Sequence, residues 1–338
     1  MSSCTALRAA ATGVVVALAL TGCASTSTPA VPPAASSDPA TDAPVAGVTT
    51  AAYVDATTAH DPLARIADET GLQNVVLAFV LADGGECRPS WGGLTAVDDP
   101  ALATELADLR TAGGSVTVAS GGASGDYLES ACTDAESLAA AYAEVLDATG
   151  SEHLEVDVEQ QIPTATVLDA LVRLRDERGT AITLTLPVAG ATQGLTDDAV
   201  TLLQAAADRG LDVSVNAMTM NFPAETTLGA SDWASAMTSA TDQVAAQMTQ
   251  VWPQLDDTAA RSRLGLTFMA GRNDTGPVTT LAHASVLAQY AAGGGVGSIA
   301  FWSLSRDNGG CPDVAAAQPT CSGIAQDDYA FARAVTTA

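Results

Sequence analysis

The chain has 338 residues, with 13 basic against 39 acidic side chains and a formal net charge of −26. That balance argues against nucleic acid as a partner and against an electrostatic grip on anionic lipid. Every basic residue is arginine, and the abundance of Ala, Gly, Asp, Val and Thr reflects a GC-rich genome more than a function.

Arg8 is the only charge ahead of an apolar run from Ala9 to Leu20. The run is too short to span a bilayer comfortably and ends in small residues, as an export signal does. It closes on Leu20-Thr21-Gly22-Cys23, which resembles the lipobox of bacterial lipoproteins, where cleavage precedes a cysteine that is then lipidated. Residues 1–22 are therefore expected to be a lipoprotein signal peptide, and Cys4 is lost with it. Residues 23–48 carry the lipidated Cys23 and a linker of Ala, Ser, Thr, Pro and Asp that lacks the apolar mass for a core. The expected location is the bacterial cell surface, or the periplasmic face where the organism has two membranes. Contact with the membrane is through the lipid alone. The self-repelling acidic surface suggests a monomer.

Residues 49–338 are enough for one large domain of the α/β-barrel kind, which typically takes about 250 residues. Strand-like and helix-like segments alternate through it. The first strand lies at 51–55, then a helix at 61–70 with Asp61 as cap and Pro62 in its first position. A second strand follows at 74–82, then a glycine-rich loop with Cys87 and Trp91, and a helix at 100–111 capped by Asp99. The third strand (115–120) ends in Gly121-Gly122 and precedes a helix at 135–148. The fourth strand holds the acidic segment described below, and its helix covers 164–178. Three further pairs place strands at 181–187, 212–222 and 263–270, with helices at 197–209, 232–252 and 278–292. The eighth strand is at 298–303, and a closing helix runs over 326–335. Eight βα units in order imply parallel strands with helical crossovers and a closed (β/α)8 TIM barrel in a single domain.

The fourth strand reads Leu154-Glu155-Val156-Asp157-Val158-Glu159. Acids and branched apolar residues alternate with period two, so the carboxylates share one face and the aliphatics the other. With helices on both sides the strand is buried. Three buried carboxylates cannot all be ionised and must share protons, an arrangement suited to proton transfer. Sites of this fold lie at the C-terminal strand ends. Glu159 is expected at that end, Asp157 one layer below and Glu155 deeper. Met218, Met220 and Asn221 come from the sixth strand and Trp302 from the eighth. An indole facing carboxylates suits a sugar ring.

Cys87, Cys132, Cys311 and Cys321 are an even set in an exported chain and read as two disulfides, nearest neighbours pairing as Cys87–Cys132 and Cys311–Cys321. The cysteine spacings are long and no histidine lies near them, so zinc is not expected. No phosphate loop or metal cage is visible, so no cofactor is expected.

Glu152-His153-Leu154-Glu155-Val156-Asp157-Val158-Glu159 resembles the DGxDxDxE signature of glycoside hydrolase family 18 chitinases. The last Glu and the Asp two residues before it match; Glu155 stands where Asp is usual, and Glu152-His153 replaces Asp-Gly. Segments 87–93, 121–125, 216–222, 264–269 and 301–307 also resemble a bacterial branch of that family, so the likeness covers essentially all of residues 50–338. It implies hydrolysis of β-1,4-linked N-acetylglucosamine polymers with retention, assisted by the substrate's own acetamido group. Glu159 is then the general acid/base. Asp157 orients and stabilises the acetamido group, Glu155 shares a proton with Asp157, and Trp302 is the floor under the sugar. Asn221 departs from a usual Asp, which removes a charge beside the acid. Trp91 is expected either at the substrate or as a buttress of the Cys87 loop.

Chitin or N-acetylglucosamine oligosaccharides are thus the expected partners. Two neighbouring readings stay open: a catalytically weak carbohydrate-binding barrel at the cell surface, motivated by Asn221 and Glu155, and an endo-β-N-acetylglucosaminidase. A solute-binding lipoprotein fits less well, because a single run of eight βα units is not a two-lobed architecture.

Overall fold

The computed structural model describes residues 47–223 and 233–337. The expected signal peptide, Cys23 and most of the linker lie outside the described residues, as does Asp232 at the expected start of the sixth helix.

Eight strands close a parallel barrel: β1 (Thr49–Asp55), β2 (Asn74–Ala82), β3 (Ser115–Gly121), β4 (His153–Asp157), β5 (Ala181–Gly190), β6 (Ser214–Met218), β7 (Leu264–Met269) and β8 (Ser298–Trp302). Each pairs in parallel with its sequence neighbours, and β1 hydrogen-bonds both β2 and β8, which closes the ring. Alternation along each strand separates two environments. Outward residues such as Val54, Leu77, Val118, Leu154, Val156, Leu184, Val215, Leu266 and Phe301 join one hydrophobic core with the surrounding helices. Inward positions are small or polar. Ala51, Tyr53, Val76, Ala78, Ala119 and Ala300 form a minor cluster inside the barrel, and Glu155, Asp157, Thr183, Thr185, Asn216 and Thr267 are buried polar groups on the same side. Small interior residues leave room for carboxylates; large aliphatics there would have filled the barrel.

The helices that pack this ring are α1 (Leu63–Thr70), α2 (Pro100–Thr111), α3 (Ala135–Thr149), α4 (Thr164–Arg178), α5 (Asp197–Asp208), α6 (Trp233–Val251), α7 (Leu281–Gly294) and α8 (Ala330–Thr336). Several starts follow capping chemistry. Asp99 accepts from the backbone N–H groups of Ala101 and Leu102 ahead of α2, and Asp134 from Ser137 ahead of α3.

Other boundaries differ from the sequence expectation for local reasons. Asp61 does not cap α1; the cap position is Pro62, which offers no side-chain acceptor. Val278 and Thr279 do not begin α7 but pair antiparallel with Arg272 and Gly271. The helix starts after Thr280, whose hydroxyl accepts from the His283 N–H while the His283 ring faces the Thr280 N–H, a reciprocal capping box. Gln326 does not open α8. Its amide donates to Asp307, and Tyr329 sits at φ 57° just before the first helical residue. Both expected disulfides are formed. Cys87–Cys132 ties the loop after β2 to the end of a short helix, Leu128–Ala131, and Cys311–Cys321 closes the loop beyond β8.

Candidate active site

The C-terminal strand ends surround a cleft of about 220 Å³. Asp157 and Glu159 form one wall; Trp302, Phe79 and Tyr53 form another; Met218, Met220, Asn221, Met269 and Asp274 complete it. β4 itself ends at Asp157, so Glu159 lies two residues past the last strand residue. It is exposed to the cleft rather than stacked in the sheet.

Glu159 is nevertheless fixed. Its backbone N–H donates to the Tyr127 hydroxyl at 3.0 Å. That hydroxyl lies 2.7 Å from the carbonyl of Gly122 and 2.9 Å from that of Asp157, either of which can accept its proton. The Gly122 N–H also donates to the Asp157 carbonyl at 3.0 Å. This close approach explains Gly121. Its φ is +104°, and a Cβ there would come within 2.1 Å of the Asp157 carbonyl oxygen.

Beneath the cleft a polar layer crosses the barrel. The Tyr53 hydroxyl donates to Glu155. The Asn216 amide donates to the Tyr53 hydroxyl at 2.9 Å and to Thr185 Oγ1 at 3.2 Å, and Thr267 donates to Asn216 Oδ1 at 3.0 Å. Glu155 is therefore a buried, hydrogen-bonded support, below rather than in the cleft.

Burial pushes the Glu155 carboxyl up to about 7, against the opposing effect of hydrogen bonds from Tyr53 and Thr185. Asp157 is raised well above the ordinary range, by burial first and then by the charges of Glu159 and Glu155. Its Oδ1 is buried with no hydrogen-bond partner among the described residues. Glu159 is also raised, by burial and then by Asp274. Three acids with elevated proton affinity in one file favour a protonated group at the cleft, ready for a ligand.

Trp302 is half-buried, its ring stacked on Phe79 at 5.4 Å between centroids and 18° between planes, with Tyr53 edge-on at 5.9 Å. The cleft thus offers a flat apolar surface facing carboxylates. Met218 and Met220 line it, and Asn221 stands at its rim. Trp91 does not. It is fully buried in the hydrophobic core, paired across a hairpin with Val80, and cannot reach a ligand.

Phe79, Tyr127, Thr185, Asn216 and Asp274 were not singled out from sequence. Period-two polar residues inside otherwise apolar strands (Thr183 and Thr185, Asn216, Thr267) were a usable signal for the inward layer. Phe79 was hidden in an unbroken apolar run, and Tyr127 and Asp274 arrive on loops. Among the described residues no group of three or more His, Cys, Asp or Glu is placed to hold a metal ion.

The site is an acid-lined, aromatic-walled cleft at the C-terminal end of a (β/α)8 barrel, and proteins of known structure share this scaffold. The catalytic domain of a hyperthermophilic chitinase from Pyrococcus furiosus is 31% identical, with a TM-score of 0.79 over 87% of this chain and 95% of that one. Catalytic-site mutants of active domain 2 of the thermostable chitinase from the same organism, complexed with chito-oligosaccharides, align at 30% identity and TM-score 0.78, over 87% of this chain and 97% of that one. A protein of Escherichia coli strain K12 described as a probable bifunctional chitinase/lysozyme is 28% identical over 303 residues, covering 83% of this chain. The chain spans only 33% of that relative's length. No protein-family model matches. The chain belongs to the chitinases of glycoside hydrolase family 18.

Proposed function

We propose that the chain hydrolyses β-1,4 bonds between N-acetylglucosamine units of chitin, with retention and with the substrate's acetamido group as nucleophile. The observation that carries this is the acidic file. Glu159 opens to the cleft, Asp157 below it has an unpartnered buried oxygen, and Glu155 is braced beneath. The chito-oligosaccharide complexes of the related Pyrococcus furiosus chitinase support the choice of substrate.

The sugar to be cleaved packs its C–H face on Trp302. Glu159, carrying its proton, donates it to the glycosidic oxygen as the bond to C1 breaks. The acetamido oxygen attacks C1 and forms an oxazolinium ion. Asp157 accepts the acetamido N–H and offsets the positive charge, while Glu155 exchanges a proton with it. Glu159, now a carboxylate, takes a proton from water, which attacks C1 and restores the acetamido group. Glu159 is thus acid in the first step and base in the second.

Replacing Glu159 with Gln in the full chain tests the assignment. The expected result is a loss of chitin-oligosaccharide hydrolysis by about 100-fold or more, with oligosaccharide binding retained. Turnover near that of the wild type would sink it.

We also propose that the chain lies outside the cytoplasm, tethered through Cys23; Leu20-Thr21-Gly22-Cys23 supports this. Cys23→Ala is expected to move the protein from the membrane fraction to the soluble one. A chain that stays membrane-bound would refute the tether.

A further inference from the structure

Asp274 lies on the loop after β7 and lines the same cleft as Glu159. It is held by a reciprocal pair of hydrogen bonds. The Asn221 amide donates to Asp274 Oδ2 at 2.8 Å, and the Asp274 backbone N–H donates to Asn221 Oδ1 at 2.8 Å. Asn221 has φ 57°, a left-handed conformation that Asn tolerates better than most residues. Its own N–H donates to Asn273 Oδ1 at 3.1 Å. Asn273 is buried, and its amide donates to the Gly271 carbonyl and to Thr279 Oγ1. The loop after β7 is therefore locked to the loop after β6, and the lock aims one carboxylate at the cleft. Asn221 is neutral, so the charge of the pair resides wholly on residue 274.

We infer that Asp274 is a positioning residue for the proton of Glu159: its carboxylate, oriented by Asn221, favours the protonated acid before cleavage and strengthens the carboxylate as a base after it. The inference rests on the reading of Glu159 as acid/base. A like charge sharing a cleft disfavours ionisation of a partly buried acid. The Asp274 carboxylate raises the proton affinity of Glu159, second only to burial. Other titratable groups face the same space. Asp157 on β4 lines it, Glu155 lies on the same strand below the cleft, and Tyr127 is bonded to the Glu159 N–H. Arg306, beyond β8, feels the charge of Asp274, but its guanidinium is committed to the carbonyls of Ala270, Arg272 and Gln318.

The test follows the Glu159 carboxyl by 13C NMR across pH in the full chain, with its signal assigned by loss in E159Q, and in parallel the pH dependence of kcat/KM on a chitin oligosaccharide. Asp274→Asn keeps an acceptor for the Asn221 amide and removes the charge. The expected result is a fall of about half a unit or more in the Glu159 midpoint, with the alkaline limb of kcat/KM moving down by the same amount. The double variant N221D/D274N returns the charge across the same hydrogen bonds, and the midpoint should rise again. An unchanged midpoint in D274N would overturn the inference, including the case in which the rate drops equally at every pH. A responsive midpoint in a chain that cleaves no oligosaccharide would support the coupling while sinking the hydrolytic reading.

Discussion

Tyr53 on β1 donates its hydroxyl proton across the barrel to Glu155 on β4, 102 residues away in sequence. Both side chains are fully buried, and the Asn216 amide holds the Tyr53 oxygen from a third strand. The bond fixes the lowest acid of the file and so the floor on which Asp157 and Glu159 rest.

Removing that hydroxyl should cost stability and alter the acids together. Tyr53→Phe leaves Glu155 without its cross-barrel donor and the Asn216 amide without one acceptor. Denaturant unfolding is expected to show a loss of about 1–3 kcal/mol. Glu155 should also bind its proton more tightly, since the lost bond favours its ionised form. Stability within about 0.3 kcal/mol of wild type would mean that the bond does not support the fold.

The raised acids also set a pH dependence of stability. Burial lifts Glu155 to about 7 in the folded chain, against roughly 4.3 when unfolded. The folded state then binds more protons than the unfolded state between those values. Its advantage is complete below about pH 4 and fades as pH rises through about 7, by roughly 4 kcal/mol at most. Glu155→Gln removes this titration. Unfolding free energies of wild type and E155Q should therefore diverge between pH 4 and 8, with only the wild type losing the Glu155 contribution. Parallel curves would contradict the assignment.

The two disulfides should contribute unequally. Cys87–Cys132 closes a separation of 45 residues and Cys311–Cys321 one of 10. Chain-entropy scaling gives the longer loop an advantage of about 1 kcal/mol. Double alanine variants of each pair, compared by thermal unfolding, are expected to rank in that order. An equal or reversed ranking would show that local packing at Cys311–Cys321 outweighs loop length.

Much of this architecture was legible because barrel strands obey a period of two. The alternation in Leu154–Glu159 put the three acids on one face, and the regular return of strand and helix patterns counted eight units. The pattern could not say where β4 stops. Period two continues to Glu159, but pairing with β5 ends at Asp157, and a tyrosine hydroxyl then takes over the backbone N–H. Trp91 stays open in the sequence because a tryptophan in a glycine-rich loop looks available, whereas the hairpin folds it into the core. Asp274 was invisible for the opposite reason. A carboxylate in a polar turn has no pattern, and only the pairing with Asn221 aims it at the cleft.

Retaining, acetamido-assisted cleavage is read from the anomeric form of the first product. The full chain would be mixed with chitin oligosaccharides and the new reducing ends followed by NMR before mutarotation. The β-anomer appearing first is the expected result, because attack by the acetamido oxygen and then by water inverts C1 twice. The α-anomer first would mean a single displacement by water and rule out acetamido assistance, and binding without any cleavage would make this a carbohydrate-binding barrel.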